Sequence, residues 1–286
     1  MILIAGGYQD PNIACLVQAA SQMKLPFCTA FAGMADLDWD ISNPSEPIQI
    51  NKIPATHIKS VFQRFNSFGY DTSNAQHYAY YHSFYHTLRA YALNANLKMF
   101  DGAIAMAGYC KPLDLITATK HGLKIPTTLV TDNTIPTYKS IFKRVLGGAH
   151  TEMLNHKKQF SFGVGFAQEF LPGNEIRIYV VGQETFCFHM KTSSLDYREK
   201  QDVEVVYIPE SEVATSSELS DASGKIKAMS HEKGLYFSAS DLKRNEAGDL
   251  CFLEMNTSPM FVRFDQASQG ELSATMINWL AGEPRF

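Results

Sequence analysis

Three oxygen-bearing side chains near the carboxyl end of the chain, Asp241, Glu254 and Asn256, are spaced to act on one ligand. Two strand-like runs, Phe237 to Lys243 and Leu250 to Asn256, flank the turn-forming stretch Asn245-Glu246-Ala247-Gly248-Asp249. A turn centred on Ala247-Gly248 sets Asp241 opposite Glu254, and Asn256, two residues on, shares their face. Leu242, Leu253 and Met255 then fall on the other face. Opposed carboxylates repel unless a cation lies between them. Mg²⁺ takes an all-oxygen set of this kind, one or two carboxylates completed by substrate phosphates. A solvated polar face with Lys243 neutralising one carboxylate accounts for the same residues.

A second place for chemistry is the strand Ser140 to Val145, which carries Lys143 and runs into a loop with Gly147-Gly148. A glycine-bearing loop after such a strand lets backbone N–H groups approach phosphate oxygens closely. Gly-Gly turns also serve in ordinary hairpins. His82 and His86 stand four apart, with His77 nearby, but there is no HExxH pattern, so histidines on an aromatic helix face are expected. Gly6-Gly7 is not GxGxxG. The cysteines (Cys15, Cys28, Cys110, Cys187, Cys251) are odd in number, never in CxxC and set among apolar neighbours, as expected of buried thiols in a reducing compartment.

The elements that must hold these groups are legible in outline. Ile2 to Gly7 reads as a buried parallel strand. Asp10-Pro11 caps and opens a helix with Ile13, Leu16, Val17 and Ala20 on one face, and Pro26 to Phe31 is a second strand. This βαβ opening predicts an α/β layer. Residues 36–56 read as loops around short strands. Lys111-Pro112 opens a helix closed by Gly122, with strands at Ile125 to Thr131 and Phe162 to Leu171. In Glu175 to Val181, apolar Ile176, Ile178 and Val180 alternate with Glu175, Arg177 and Tyr179, predicting a half-buried antiparallel strand. Residues 216–232 and Ala267 to Leu280 read as helices.

The 286 residues are 45% hydrophobic and 19% charged, with 25 Lys+Arg against 29 Asp+Glu, and can bury a sizeable core. A net charge of −4 leaves no basic footprint for nucleic acid or an anionic membrane. No apolar run reaches the roughly 18–20 residues of a membrane span. Met1 to Ala5 does not read as a signal peptide, so a cytoplasmic protein is expected. Aromatics make up 12% of the chain, and ten of them lie between Phe62 and Tyr91, a block suited to a partner surface or a dimer interface.

Taken in order, several of these pieces resemble an ATP-grasp carboxylate–amine ligase. Lys111 to Thr131, KPLDLITATKHGLKIPTTLVT, resembles the family's passage of lysine, helix and "G-x-x-x-P-x-T" into its ATP-binding region. Ser140 to His150, SIFKRVLGGAH, resembles its lysine strand and glycine loop, with Arg144 where proline is common. Ala167 to Leu171, AQEFL, resembles the hinge strand whose backbone meets adenine. Asn174 to Gly182, NEIRIYVVG, resembles the "D-x-R-x-x-V-x-G" strand, with Glu175 at its acidic position. Asp241 with Leu253 to Pro259, LEMNTSP, resembles the magnesium-binding "D…L-E-x-N-x-S-P". The nearest branches are ribosomal-protein glutamate ligases and the peptide macrocyclases that make graspetides such as microviridins. Thr192 to Arg198 resembles an "S…D-W-R" passage of the latter.

The resemblance implies an α/β fold, α+β in its C-terminal part. Residues 1–105 would be a parallel α/β domain preceding the ATP-grasp lobes, 106–171 the central lobe, and 172–286 the C-terminal lobe with the metal site. It implies ATP and Mg²⁺, and amide formation between a carboxylate and an amine through an acylphosphate. Lys111 and Lys143 would contact the α- and β-phosphates, Gly147-Gly148 would close over them, and Gln168, Glu169, Phe170 and Leu171 would border the adenine. Asp241, Glu254 and Asn256 would hold Mg²⁺. Arg177 would stabilise the transferring phosphoryl group and then the oxyanion. Arg198 and Ser258 would meet a peptide or amino-acid substrate, in a homo-oligomer whose simplest form is a dimer. A non-catalytic ATP-binding scaffold of the same fold, or a small-molecule ligase of dipeptide or glutathione type, are the alternative readings.

Overall fold

The first apolar run becomes strand β1 (Ile2–Gly6), buried along its whole length. The computed structural model describes residues 1–64, 73–101, 110–145, 151–154, 163–191 and 203–282. Two compact units divide the chain: Met1–Met106 with Met260–Phe286, and Ala107–Pro259.

In the first unit, Asp10 accepts the backbone N–H of Asn12 at 2.9 Å and so caps α1 (Pro11–Gln22). β2 (Phe27–Phe31) runs parallel to β1. The loop stretch that follows folds β3 (Leu37–Asp38), β4 (Gln49–Ile50) and β5 (Ile53–Pro54) into a small antiparallel sheet. β6 (Ser60–Arg64), α2 (Ala75–Asn94) and β7 (Lys98–Met99) complete a parallel sheet of order β2-β1-β6-β7. Leu3, Ala5 and Val61 of that sheet pack with Tyr81, Phe84, Leu88 and Tyr91 of α2. Among the described residues, Phe62, Tyr81, Phe84 and Tyr91 of the aromatic block are therefore buried. The first turns of α2 are exposed, with Tyr78 at 48% and Tyr80 at 46%.

The predicted helix Ala267 to Leu280 is two helices, Val262–Ala267 and Glu271–Ala281. Gln269 and Gly270 break it with φ of 54° and 88°. The second helix packs on α1 and β6, within the first unit, although its sequence position groups it with the C-terminal lobe.

The second unit opens with α3 (Lys111–Lys120) and a four-stranded antiparallel sheet. Its strands are β8 (Thr128–Thr131), β9 (Ser140–Arg144), β10 (Glu152–Met153) and β11 (Gly165–Glu169), in the order β10-β9-β11-β8. The chain then builds β12 (Glu175–Val181), β13 (Glu184–Lys191) and β14 (Glu204–Ile208), followed by α4 (Glu210–Thr215) and α5 (Ser217–Glu232). β15 (Phe237–Arg244) and β16 (Leu250–Asn256) finish an antiparallel sheet of order β14-β13-β12-β15-β16. α5 packs on β12, β13 and β15.

β12 corrects the half-buried expectation. It is the central strand, and its polar face is buried too, with Arg177 at 6% exposure and Tyr179 at 0%. Tyr179 meets Phe188 and Phe237 across the neighbouring strands. The alternation was real; only the assumption that polar positions face water fails, because both faces of this strand are buried.

Among the described residues, no helix is long and apolar enough to cross a membrane.

Candidate active site

The hairpin β15–β16 delivers the predicted opposition. Asp241 pairs with Glu254 and Ala239 with Asn256 in register. A bulge between Asp241 and Leu242 then shifts the register, so that Leu242 faces Phe252. Strict alternation put Leu253 on the face of Leu242 and Met255; the bulge leaves Leu253 half-buried while Phe252 is fully buried. The turn closes with the Gly248 N–H donating to the Asn245 carbonyl, and Gly248 takes the left-handed φ of 86° that the turn requires.

Each opposed carboxylate is met by a cation from a different element. Arg177, which pairs with Asp241 across β12 and β15, grips it with both arms: Nε donates to Oδ1 at 2.5 Å and an Nη to Oδ2 at 2.7 Å. Lys111, the first residue of α3, reaches Glu254 Oε2 at 3.0 Å. The Asn256 amide donates to Asp241 Oδ2 at 3.4 Å. Burial pushes the Glu254 carboxyl up, but the charges of Lys143 and Lys111, the Lys111 hydrogen bond and Arg177 together outweigh it and hold Glu254 at about 2. Lys143, on β9 opposite Phe166, thus acts on the same carboxylate.

Two charged pairs at this site went unread in the sequence. Glu175 lies opposite Lys243, one pair along from Arg177 and Asp241 on the same face. Burial and the nearby Asp241 raise the Glu175 carboxyl to about 7, against the pull of Arg177, Lys243 and Lys143. Burial also lowers Lys243. Asp114, one turn along α3 from Lys111 and 1% exposed, pairs with Lys233 just past the end of α5. That pair ties the helix bearing Lys111 to the helix behind the sheet. The i, i+3 spacing of Lys111 and Asp114 was the available signal.

The remaining predicted residues are placed as follows. Gln168 is 1% exposed and its amide donates to Thr128 Oγ1 at 2.9 Å. Glu169 Oε2 accepts the Thr127 N–H, while the N–H groups of Glu169 and Phe170 go to the carbonyls of Thr127 and Lys139. The Lys139 ammonium lies 4.0 Å over the Phe170 ring, and Leu171 is buried. Ser258 is exposed just beyond β16. Gly147, Gly148 and Arg198 lie outside the described residues.

Two carboxylates and an amide oxygen on one sheet face form a hard-oxygen set, and Glu254 is held ionised, as a metal ligand must be. Among the described residues no group of three or more His, Cys, Asp or Glu could hold a metal. A dedicated all-protein cage is therefore missing there, and the set fits Mg²⁺ shared with phosphates, the usual mode for that ion.

No protein-family model matches the chain, and no curated protein does. Solved structures do. PsnB, an ATP-grasp ligase solved with a minimal precursor, is 20% identical with a TM-score of 0.77, over 98% of this chain and 97% of that one. The macrocyclase MdnC bound with precursor peptide MdnA, from Microcystis aeruginosa MRC, is 16% identical with a TM-score of 0.76, over 99% of this chain and 100% of that one. A RiPP-associated ATP-grasp ligase of Chryseobacterium gregarium, in complex with ADP and a leader and core peptide, is 16% identical with a TM-score of 0.71, over 98% and 96%. From end to end, this chain has the fold of the ATP-grasp ligases.

Proposed function

We propose that the protein is an ATP- and Mg²⁺-dependent ligase that joins a carboxylate to an amine on a peptide substrate. The observation that carries this reading is the Asp241–Glu254 opposition, met by Arg177 and Lys111 from separate elements. The likeness to ligases solved with precursor peptides supports the substrate class.

In this reading a substrate carboxylate oxygen attacks the γ-phosphorus of ATP and the bond to ADP breaks, giving an acylphosphate. An amine nitrogen then attacks the acyl carbon, gives up a proton, and phosphate leaves. Catalysis of this kind is mainly positioning and charge neutralisation. Lys111 and Lys143 hold the α- and β-phosphates. Arg177, fixed by its two bonds to Asp241, stabilises the transferring oxygens and then the oxyanion. Asp241, Glu254 and Asn256 would hold Mg²⁺, which would supply charge neutralisation to the nucleotide phosphates. The main chain of Phe170 and Leu171 borders the adenine, beside Gln168 and Glu169. Gly147-Gly148 covers the phosphates and excludes water that would hydrolyse the acylphosphate. Arg198 and Ser258 contact the peptide. Residues 106–171 and the sheet beginning at 172 are the two lobes around the nucleotide, after an α/β domain at 1–105. A cytoplasmic homodimer completes the reading, and sedimentation tests its stoichiometry.

Glu254→Gln and Lys143→Ala each abolish peptide-dependent ADP release while circular dichroism and melting stay those of a folded protein. Undiminished turnover in both variants overturns the assignment. ATP bound without phosphate release on any acceptor makes the protein a nucleotide-binding scaffold instead.

A further inference from the structure

The proposed reaction asks two things of one residue. Lys111 is to hold a phosphate, yet its ammonium lies 3.0 Å from Glu254 Oε2, on an oxygen that Mg²⁺ would need. Both side chains are largely enclosed, at 11% and 19% exposure, so this is not one of the loose surface pairs that solvent dissolves. The helix below is anchored separately. Asp114, one turn along α3, is buried and paired with Lys233, and α3 packs on β16. Lys111 is the first residue of that helix, so its flexible four-carbon stem can change partner while the helix keeps its place.

Among the described residues, each carboxylate around this pair is matched by a cation. Arg177 grips Asp241, Lys111 meets Glu254, Lys243 stands opposite Glu175, and Lys233 holds Asp114. Lys143, whose charge also reaches Glu254, is left over. The protein alone therefore leans positive here. A bare Mg²⁺ would have to displace an ammonium, enter a positive surplus and shed water that it holds tightly. A nucleotide reverses these conditions. Its phosphates outweigh the surplus, and their oxygens offer Lys111 a charged acceptor in exchange for Glu254.

We infer that Lys111 is a placeholder for the metal: it keeps bare divalent cations off Glu254 and gives way only to a nucleotide, so that metal and nucleotide enter as one complex. This deepens the ligase reading and rests on it for the nucleotide. Lys111 is then a specificity-determining residue as well as a phosphate contact. Its removal acts on the two ligands with opposite sign, which loss of a merely structural lysine does not do.

The test uses the full chain without turnover, titrated in a calorimeter with MnCl₂ alone and with Mg-ADP. Mn²⁺ is the probe because it takes the same hard oxygen ligands. The wild type saturates with Mg-ADP but not with Mn²⁺ alone below about 1 mM. Lys111→Met binds Mn²⁺ alone roughly tenfold more tightly than the wild type and Mg-ADP about tenfold more weakly. Lys111→Arg keeps the charge and excludes Mn²⁺ as the wild type does. Saturation of the wild type by Mn²⁺ alone below about 1 mM overturns the inference. So does a folded Lys111→Met that binds Mn²⁺ no more tightly than the wild type. If Lys111→Met does not fold, the wild-type titration with Mn²⁺ decides alone. A wild type that takes no Mg-ADP sinks the ligase reading and this inference with it. Normal uptake of Mg-ADP with no gain of Mn²⁺ in Lys111→Met sinks the inference on Lys111 and leaves the ligase reading standing.

Discussion

Two arginine–aspartate pairs, one in each unit, are buried to nearly the same degree. Arg64 and Asp10 are 6% and 0% exposed, Arg177 and Asp241 6% and 5%. Their surroundings differ. Asp10 also accepts the N–H and the side-chain amide of Asn12, at 2.9 and 2.7 Å, and Asn12 in turn accepts the Phe261 N–H at 2.8 Å. That network closes on itself and joins the start of α1 to the C-terminal helices of the same unit. Around Asp241 the charges do not close: Glu254 stands opposite, Glu175 is near enough to be raised by it, and Lys143 opposes Lys243. Like charges gathered in one buried place cost stability, and proteins keep them where a ligand is to be held. Burial alone therefore says little about function; unbalanced company says more.

The largest expected effect breaks this comparison or upholds it. Asp10→Ala leaves Arg64 buried without its partner, costing about 3–5 kcal/mol, with about 1 kcal/mol more for the lost helix cap. Urea unfolding reads that loss, and Mg-ATP still raises the midpoint of the variant. Asp241→Asn keeps the side-chain volume and costs less in folding, yet Mg-ATP no longer moves its midpoint. If Asp241→Asn keeps the nucleotide-dependent shift, the two pairs have the same role and the contrast is false.

Next in size is the acid limb of stability. Glu254 sits at about 2, below its ordinary 4.5, so its contribution is complete above pH 4.5 and is lost as pH falls through 2. On the order of 3 kcal/mol is at stake. Lys111→Met removes the 3.0 Å partner, so that Glu254 titrates nearer 4.5 and the acid-dependent loss shrinks in denaturant titrations from pH 6 to 2. Glu175 runs the other way. Raised to about 7 from 4.5, it is favoured protonated in the folded state, so stability falls as pH rises from 4.5 through 7. Glu175→Gln removes that fall, gaining about 1–3 kcal/mol at pH 8 over its effect at pH 4. Equal gains at both pH values count against a buried, charge-crowded Glu175.

Much of the site was legible because β-structure converts spacing into geometry. The turn at Ala247-Gly248 and a period of two suffice to oppose Asp241 to Glu254, and Arg177 stands out as a polar residue within an alternating strand. The βαβ opening was legible for the same reason, from Asp10-Pro11 and the apolar face of α1. What escaped depends on contacts between segments far apart in sequence. Nothing in Lys233 announces that it meets Asp114, 119 residues away. The bulge after Asp241 changes one register without leaving a glycine to mark it. The burial of Arg177 and Tyr179 follows from β12 being the central strand, a property of sheet order that local pattern does not carry.

The smallest effect concerns the unit where charges close. Gln63 is the exception to its surroundings, a polar amide at the end of a parallel sheet whose other inward groups are aliphatic side chains and aromatic rings. A buried amide without a hydrogen-bond partner keeps its desolvation penalty, so removing it makes the protein more stable. Gln63→Leu therefore raises the urea midpoint by the equivalent of about 1 kcal/mol, the lower end of the cost of an unsatisfied buried amide, because the residue is only partly enclosed. The Mg-ATP shift stays that of the wild type, since Arg177, Asp241 and Glu254 are untouched. A loss of stability instead means that Gln63 is held by bonds that matter to folding, and the contrast between the two units then narrows to one of charge alone.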